Sequence, residues 1–248
     1  MAGHKIDINN ISYNKGKFSL GSINFAIEQG TVTGIIGKNG SGKSTLLKLL
    51  HGDLKPIRGT VFLDGRNIAD FDTPSLSRKM SFLSQEMYDP FKFTVRNVME
   101  VAGYTREQDS DSYLLALEEL RIASLVDLEF SNLSGGEKRL VTIAASLYQN
   151  AEVLIMDEPT TFLDIDNQLV VHNALKRMKK SGKTLVVVMH ELNVIHYLCD
   201  NVIILRGGKV VDSGKVNEVM RKENLEIAYD LPFEEIETDT RKLFVHRF

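Results

Sequence analysis

Three things are scarce in this sequence, and each scarcity excludes something. Its one cysteine, Cys199, has no partner for a disulfide within the chain and no ligand cluster around it, so it reads as a packing residue. No apolar run approaches the roughly 18 residues that a membrane-spanning helix needs, and the start, MAGHKIDINN, lacks the apolar core of a signal peptide. The expected location is the cytoplasm. Basic charge is not in excess: 30 lysines and arginines stand against 33 aspartates and glutamates, a formal net charge of -3. General affinity for nucleic acid rests on clustered cations that release phosphate counterions, so no nucleic-acid partner is expected. Apolar residues are plentiful, 43% of 248, which is enough for a sizeable core.

Apolar residues alternate in KIDINNI, at Ile6 and Ile8, and in INFAI, at Ile23, Phe25 and Ile27, the period of strands with one buried face. The beginning is therefore expected to be antiparallel. VTGII (32–36), VLIM (153–156) and TLVVVM (184–189) are instead continuous apolar runs separated by helical segments, which predicts parallel strands covered on both faces in an α/β sheet. Between about 86 and 132 the pattern turns helical. VRNVMEVAGY puts Val95, Val98, Met99 and Ala102 on one face, and SYLLALEELRI follows serine and aspartate caps, so this stretch is a candidate helical lobe. Asp64-Gly65 and Gly207-Gly208 mark hairpin turns. From Val216 the tail predicts two short helical pieces, then a small hairpin of EEIET and KLFVHRF.

The most informative stretch is GKNGSGKST, Gly37 to Thr45, between the apolar run VTGII and the helical KSTLLKLLHG. It fits G-x-x-x-x-G-K-[ST] in the strand-then-helix setting that this pattern requires. Glycines allow backbone N–H groups to curl around a phosphate, and the helix start adds partial positive charge. Gly37, Asn39, Gly40, Ser41 and Gly42 form the cradle. Lys43 would bridge β- and γ-phosphates, the Ser44 hydroxyl would ligate Mg²⁺, and Thr45 would support the phosphates. The plainer alternative is a glycine-rich turn carrying a solvated lysine. A second buried strand, VLIMDEP, ends in two adjacent acids, which are costly there unless paired or metal-linked. Asp157 fits a magnesium ligand and Glu158 a group polarising an attacking water, against the alternative of an acid that merely caps the next segment. His190, at the end of TLVVVM, is a candidate γ-phosphate contact by position alone, and Gln85 on its own is a loop glutamine.

LSGGE, Leu133 to Glu137, precedes the apolar-periodic KRLVTIAASLY. Ser134 and Glu137 form S-x-x-E, a capping box, but a capping box does not ask for glycines inside it. In a helix interior each glycine costs about 0.8 to 1 kcal/mol relative to alanine, and less in the first turn. Bare N–H groups at Gly135 and Gly136 would suit a second anionic ligand approaching this helix start.

In this order GKNGSGKS, Gln85, LSGGE, VLIMDEP, TTFLD and His190 resemble the nucleotide-binding subunit of an ABC transporter, over nearly the whole chain. The resemblance implies a P-loop NTPase core with a mostly parallel sheet, an N-terminal antiparallel β region and an inserted helical lobe at about 86–150. All of 1–248 would be one nucleotide-binding domain with a small extension from about 216. It implies ATP and Mg²⁺, with Ser44, Asp157 and Gln85 on the metal side, Glu158 as catalytic base and His190 on the γ-phosphate. Lys43 and Gln85 also count among the catalytic groups. Ser134, Gly135, Gly136 and Glu137 would face the ATP held by a second copy, in a head-to-tail homodimer with Asp164 at the seam. Tyr13 matches the aromatic that stacks on adenine, with Phe18 as the reserve candidate because the loop to Ile23 is about one residue longer than usual.

Two positions depart from the family's habit: Glu152 stands where proline is common, and Phe162 where a small residue precedes Leu163-Asp164. Neither carries catalytic atoms. The run PFKFTVRNVMEVAGY and the tail AYDLPFEEIET look like ATPase subunits of importers for iron-siderophore, haem or cobalamin-type chelates. That implies integral membrane permease subunits as partners, an extracytoplasmic solute-binding protein acting indirectly, and a peripheral position on the cytoplasmic face of the membrane. Tyr88, Pro90, Phe91 and Phe93 are the candidate docking residues, or else they pack the lobe. The competing expectation is a soluble ABC ATPase of cofactor assembly or repair.

Overall fold

The structure is a computed structural model, and it describes residues 3–86, 92–106, 112–238 and 242–246. The chain begins with β1 (His4–Lys15), β2 (Phe18–Glu28), β3 (Val32–Ile36), α1 (Lys43–His51), β4 (Arg58–Leu63) and β5 (Arg66–Asn67). There follow α2 (Thr73–Lys79), β6 (Met80–Leu83), α3 (Val95–Ala102), α4 (Ser112–Glu119), α5 (Gly135–Tyr148), β7 (Val153–Asp157) and α6 (Ile165–Lys180). The last part holds β8 (Thr184–Val188), α7 (Leu192–Leu198), β9 (Asn201–Arg206), β10 (Lys209–Lys215), α8 (Val216–Val219), α9 (Lys222–Tyr229), β11 (Phe233–Glu237) and β12 (Lys242–His246). Two compact units divide it: Met1–Phe71 with Thr184–Phe248, and Asp72–Lys183.

The first unit contains an antiparallel sheet in the order β2-β1-β4-β5. Its inward face is the apolar set read from alternation, with Ile6 opposite Ile27 and Ile8 opposite Phe25. Alternation would next bury Asn10, but Ile11 is buried instead, because the register shifts between Ile8 and Ile11 and Asn10 takes a φ of 51°. One extra residue at a bulge moves the following side chains to the other face, so the isoleucine is recovered for the core. The same unit holds β3 between β8 and β9, parallel to both, with β10 antiparallel on β9. Every residue of β3 and of β8 is buried, as their unbroken apolar runs require. The tail forms the two short helices and the hairpin expected of it, with Phe233 opposite His246.

In the second unit β6 runs parallel to β7, from Met80 beside Val153 to Leu83 beside Met156. The helix α5 packs on both α3 and α4. On α3, Val95 and Met99 are buried and Val98 and Ala102 half-buried, which matches the face expected from spacing. The stretch expected as a helical lobe lies inside this unit, together with α2, β6, β7 and α6. The strand β6 had no sequence signal, being four residues pressed against the end of α2. Tyr88, Pro90 and Phe91 lie outside the described residues, as does Asp111 before α4; Phe93 is described and exposed.

Both glycine-marked hairpins take positive φ at their two central residues: 51° and 75° at Asp64-Gly65, 53° and 74° at Gly207-Gly208. This is the twist-matched two-residue turn. At Gly208 the constraint is severe, since a Cβ would sit 1.9 Å from the Ser19 carbonyl oxygen. The turn is also tied on both sides, with Gly208 N–H donating to Ser41 O at 3.0 Å and Gly208 O accepting from Gly21 N–H at 2.7 Å. Gly208→Ala is therefore expected to lower stability by about 2–4 kcal/mol, combining overpacking with left-handed strain. Denaturant unfolding measures it, and a loss under about 0.5 kcal/mol, the range of an inconsequential surface change, would contradict this packing.

Candidate functional site

The first unit presents a helix start prepared for an anion. β3 ends in the buried core and the chain turns through Gly37 to Gly42 into α1, whose N-cap is Gly42 at φ 106° with no side-chain cap. A helix leaves its first N–H groups without intrahelical partners, and here no side chain caps them. Gly37 passes so close to β9 that a Cβ would lie 2.1 Å from the Leu205 carbonyl oxygen. Asn39 and Gly40 are exposed at the crown, Ser41 is buried, and Ser44 and Thr45 are half-buried in the first turn. The Lys43 side chain is buried and folds over the loop, its Nζ donating to Gly37 O at 2.8 Å and Lys38 O at 3.2 Å. The Ser41 hydroxyl is buried and makes no hydrogen bond. Bare backbone, an orphaned hydroxyl and an ammonium beside it make a donor set that fits a polyphosphate.

Around the loop, Phe18 and Leu20 reach Gly42, where a Cβ would meet the Phe18 ring at 2.8 Å. Of the two aromatic candidates, Phe18 is thus set against the loop, and Tyr13 is half-buried on β1 opposite Leu20. His190 is exposed two residues beyond β8. Because Ile35 pairs with Val188 in parallel register, His190 and Gly37 leave the same edge of the sheet. Sequence reasoning did not anticipate the end of α9. The Gly37 N–H donates to the Tyr229 hydroxyl at 3.2 Å, and Lys38 reaches Asp230 at 3.1 Å, with Arg206 on the other carboxylate oxygen at 2.6 Å. Burial pushes the Tyr229 phenol up to about 12, so it stays a neutral acceptor at any physiological pH.

The second unit gathers its own set. β7 delivers Asp157, which is 2% exposed, and Glu158 follows at a φ of 50°. A left-handed non-glycine residue costs about 1–2 kcal/mol, so the surroundings must hold it. On the side chain, Gln85 Nε2 donates to Glu158 Oε2 at 2.9 Å and the Thr161 hydroxyl donates to the same oxygen at 3.1 Å. On the backbone, Arg139 of α5 is buried and donates to the carbonyls of Ser84, Asp157, Glu158 and Pro159. Neither Thr161 nor Arg139 was singled out from the sequence. Arg139 did leave a trace: it stands four and eight residues before Ile143 and Leu147, on the buried stripe of its helix.

At LSGGE the capping box is present in full. Ser134 Oγ accepts from the Glu137 N–H at 3.3 Å, and Glu137 Oε2 accepts from the Ser134 N–H at 2.8 Å and its hydroxyl at 2.7 Å. These bonds hold the Glu137 carboxyl below its ordinary range. Nothing among the described residues lies within 4 Å of a Cβ built at Gly135, whereas one at Gly136 would press on the Phe162 carbonyl oxygen at 3.3 Å. Gly136 thus has a reason inside the chain, and no described residue supplies one for Gly135. Asp164 caps α6 by accepting from the Asn167 N–H at 2.8 Å. Just before it Phe162 is 68% exposed at a φ of 70°.

Each residue expected on the Mg²⁺ side offers an oxygen: in the first unit the half-buried Ser44 hydroxyl, in the second the buried Asp157 carboxylate and the Gln85 side-chain amide. Among the described residues no group of three or more His, Cys, Asp or Glu side chains could hold a metal alone. Oxygen is the donor type that Mg²⁺ takes.

The family model described as ABC transporter matches residues 20–161, more than half of the chain. An iron(3+)-hydroxamate import ATP-binding protein of Bacillus subtilis is 34% identical over 88% of this chain and 84% of its own length. A hemin import ATP-binding protein of Rhodopseudomonas palustris is 32% identical over 84% and 81%. A solved dimeric ATP-binding cassette, in a post-hydrolysis state with ADP and Pi, is 28% identical with a TM-score of 0.76, covering 85% of this chain and 98% of its own. With the phosphate loop, the acid-ended strand and the LSGGE helix start all present, the chain belongs to the ABC transporter family and is one of its ATP-binding ATPases.

Proposed function

We propose that this chain powers a membrane importer of a metal chelate, such as a ferric siderophore, haem or cobalamin, by closing on ATP as a head-to-tail homodimer and reopening after hydrolysis. The observation that carries hydrolysis rather than binding alone is Glu158, a buried carboxylate aimed by Gln85 and Thr161. It accepts the proton of the attacking water, and the two donors fix which carboxylate oxygen faces them. Lys43 exchanges its bonds to Gly37 O and Lys38 O for the β- and γ-phosphates, so the loop is preorganised before nucleotide arrives. Ser44, Asp157 and Gln85 are the residues that would hold Mg²⁺, which would neutralise phosphate charge. His190 donates to the γ-phosphate and Phe18 or Tyr13 stacks on the base.

The Ser134 hydroxyl and the bare Gly135 and Gly136 meet the nucleotide of the second copy, and Asp164 lies at the seam. Gly135 supports this, since no described neighbour within the chain requires its bareness. ATP that touches both copies binds the closed dimer better than the open one, and that differential affinity drives closure. Among the described residues no helix is long and apolar enough to cross a membrane. In this reading the passage for the solute belongs to integral membrane permease subunits, on whose cytoplasmic face this chain docks, with a solute-binding protein acting from the far side; the likeness to import ATP-binding proteins supports it. The exposed Phe93 and the neighbouring Tyr88, Pro90 and Phe91 are the proposed docking residues. The named cargoes of the two import relatives support the chelate class.

Glu158→Gln is expected to bind Mg-ATP while kcat falls on the order of 10²- to 10⁴-fold, the worth of a general base. Light scattering should show it dimeric with saturating Mg-ATP; a monomer would contradict the sandwich. Ser134→Arg should keep nucleotide binding and lose both dimerisation and turnover, read by calorimetry and phosphate release. Tyr229→Phe removes the acceptor for the Gly37 N–H, worth about 1 kcal/mol, so the ATP dissociation constant should rise roughly fivefold. An unchanged constant would remove α9 from the description of the loop.

A further inference from the structure

We propose that Arg139 is the positioning residue through which the LSGGE helix sets Glu158 and Gln85, gripping the backbone on which both stand. This rests on the reading of Glu158 as the base that activates water. The guanidinium donates from Nη1 to Ser84 O at 2.7 Å, from Nη2 to Asp157 O and Glu158 O at 2.7 Å each, and from Nε to Pro159 O at 3.2 Å. It is 1% exposed. Three of the four acceptors are consecutive carbonyls, and three carbonyls in succession converge on one planar group only where the chain turns sharply. Glu158 at a φ of 50° is that turn. The fourth acceptor belongs to the residue just before Gln85, whose amide donates to Glu158.

Only arginine suits this place. Its rigid fork spreads five N–H donors over three nitrogens, whereas lysine offers three donors from one point and glutamine offers two. Burial lowers the Arg139 pKa to about 10 against the pull of Asp157 and Glu158, so the group remains a cation at physiological pH. Arg139 stands five residues after Ser134, about one and a half turns along the same helix. A displacement of the LSGGE end of α5 therefore arrives at the carbonyls of 84 and 157–159 through one stiff side chain. The helix start that meets the partner's nucleotide and the base that acts on the chain's own are thereby linked by four hydrogen bonds.

The test uses Arg139→Lys and Arg139→Gln in the full chain, followed by kcat, KM, the ATP dissociation constant and amide hydrogen exchange. A misplacement of about 1 Å costs a catalytic group on the order of 100-fold, so kcat should fall about 10- to 100-fold while the dissociation constant stays within about twofold. Exchange should quicken at 84–86 and 157–161 and stay unchanged elsewhere in α5 and β7. An Arg139→Gln, Glu158→Gln double variant should be no slower than Glu158→Gln alone. Unchanged kcat, affinity lost in parallel with kcat, or exchange raised throughout the second unit would each overturn the proposal, the last two by giving Arg139 a merely structural role. If neither variant folds, the wild-type Nε–H resonance of Arg139 decides: it should shift on adding Mg-ATP, and a resonance that ignores nucleotide overturns the link. Wild-type protein that does not hydrolyse ATP would instead defeat the functional reading itself.

Discussion

A polyphosphate can be held by backbone alone only where consecutive N–H groups point outward and no side chain stands over them, and the first unit is arranged around that requirement. The turn from β3 into α1 has no side-chain cap, so its shape must come from elsewhere. It comes from contacts behind the loop. Gly37 fits against Leu205 O, the Gly208 turn hydrogen-bonds Ser41 O, and the Tyr229 hydroxyl takes the Gly37 N–H. Lys43 closes the inside with bonds to two loop carbonyls. Five buried residues of β3 anchor the whole, because a strand covered on both faces has nowhere to shift.

The second unit solves a different problem, that of keeping a buried carboxylate aimed. A carboxylate out of water is stable only with donors around it, and Glu158 receives two on one oxygen. Its backbone conformation is itself unfavourable, so stability is spent locally to fix direction. Arg139 offsets that expense by satisfying the carbonyls on either side of the strained residue. The LSGGE start is built otherwise: its own capping box pairs the Ser134 and Glu137 N–H groups, and no described neighbour requires Gly135 to be bare.

Much of this was legible in the sequence because it depends on local chemistry. Alternation in β1 and β2, unbroken apolar runs in β3, β7 and β8, the two glycine turns and the helical pieces of the tail all follow from near neighbours. The phosphate loop was legible for the same reason, as nine consecutive residues carry it. What stayed hidden depends on distant partners. The bulge at Asn10 is set by pairing with β2 and β4; Tyr229 is 192 residues from the glycine it holds; Arg139 acts on carbonyls 18 to 55 residues away. The approach of Phe18 to Gly42 likewise depends on how β1 and β2 pair. A lysine-arginine pair in a helix reads as a solvated face, and only the stripe of Ile143 and Leu147 hinted that Arg139 was inside.

The central claim, that this ATPase works for a membrane partner, is tested most directly by purifying the tagged chain from detergent-solubilised native membranes and assaying hydrolysis of what is recovered. The expected result is a multi-spanning subunit that co-purifies and raises the rate of ATP hydrolysis. Recovery of soluble partners alone, with a rate indifferent to membranes, would contradict the importer reading and leave the ATP chemistry of the loop and of Glu158 standing.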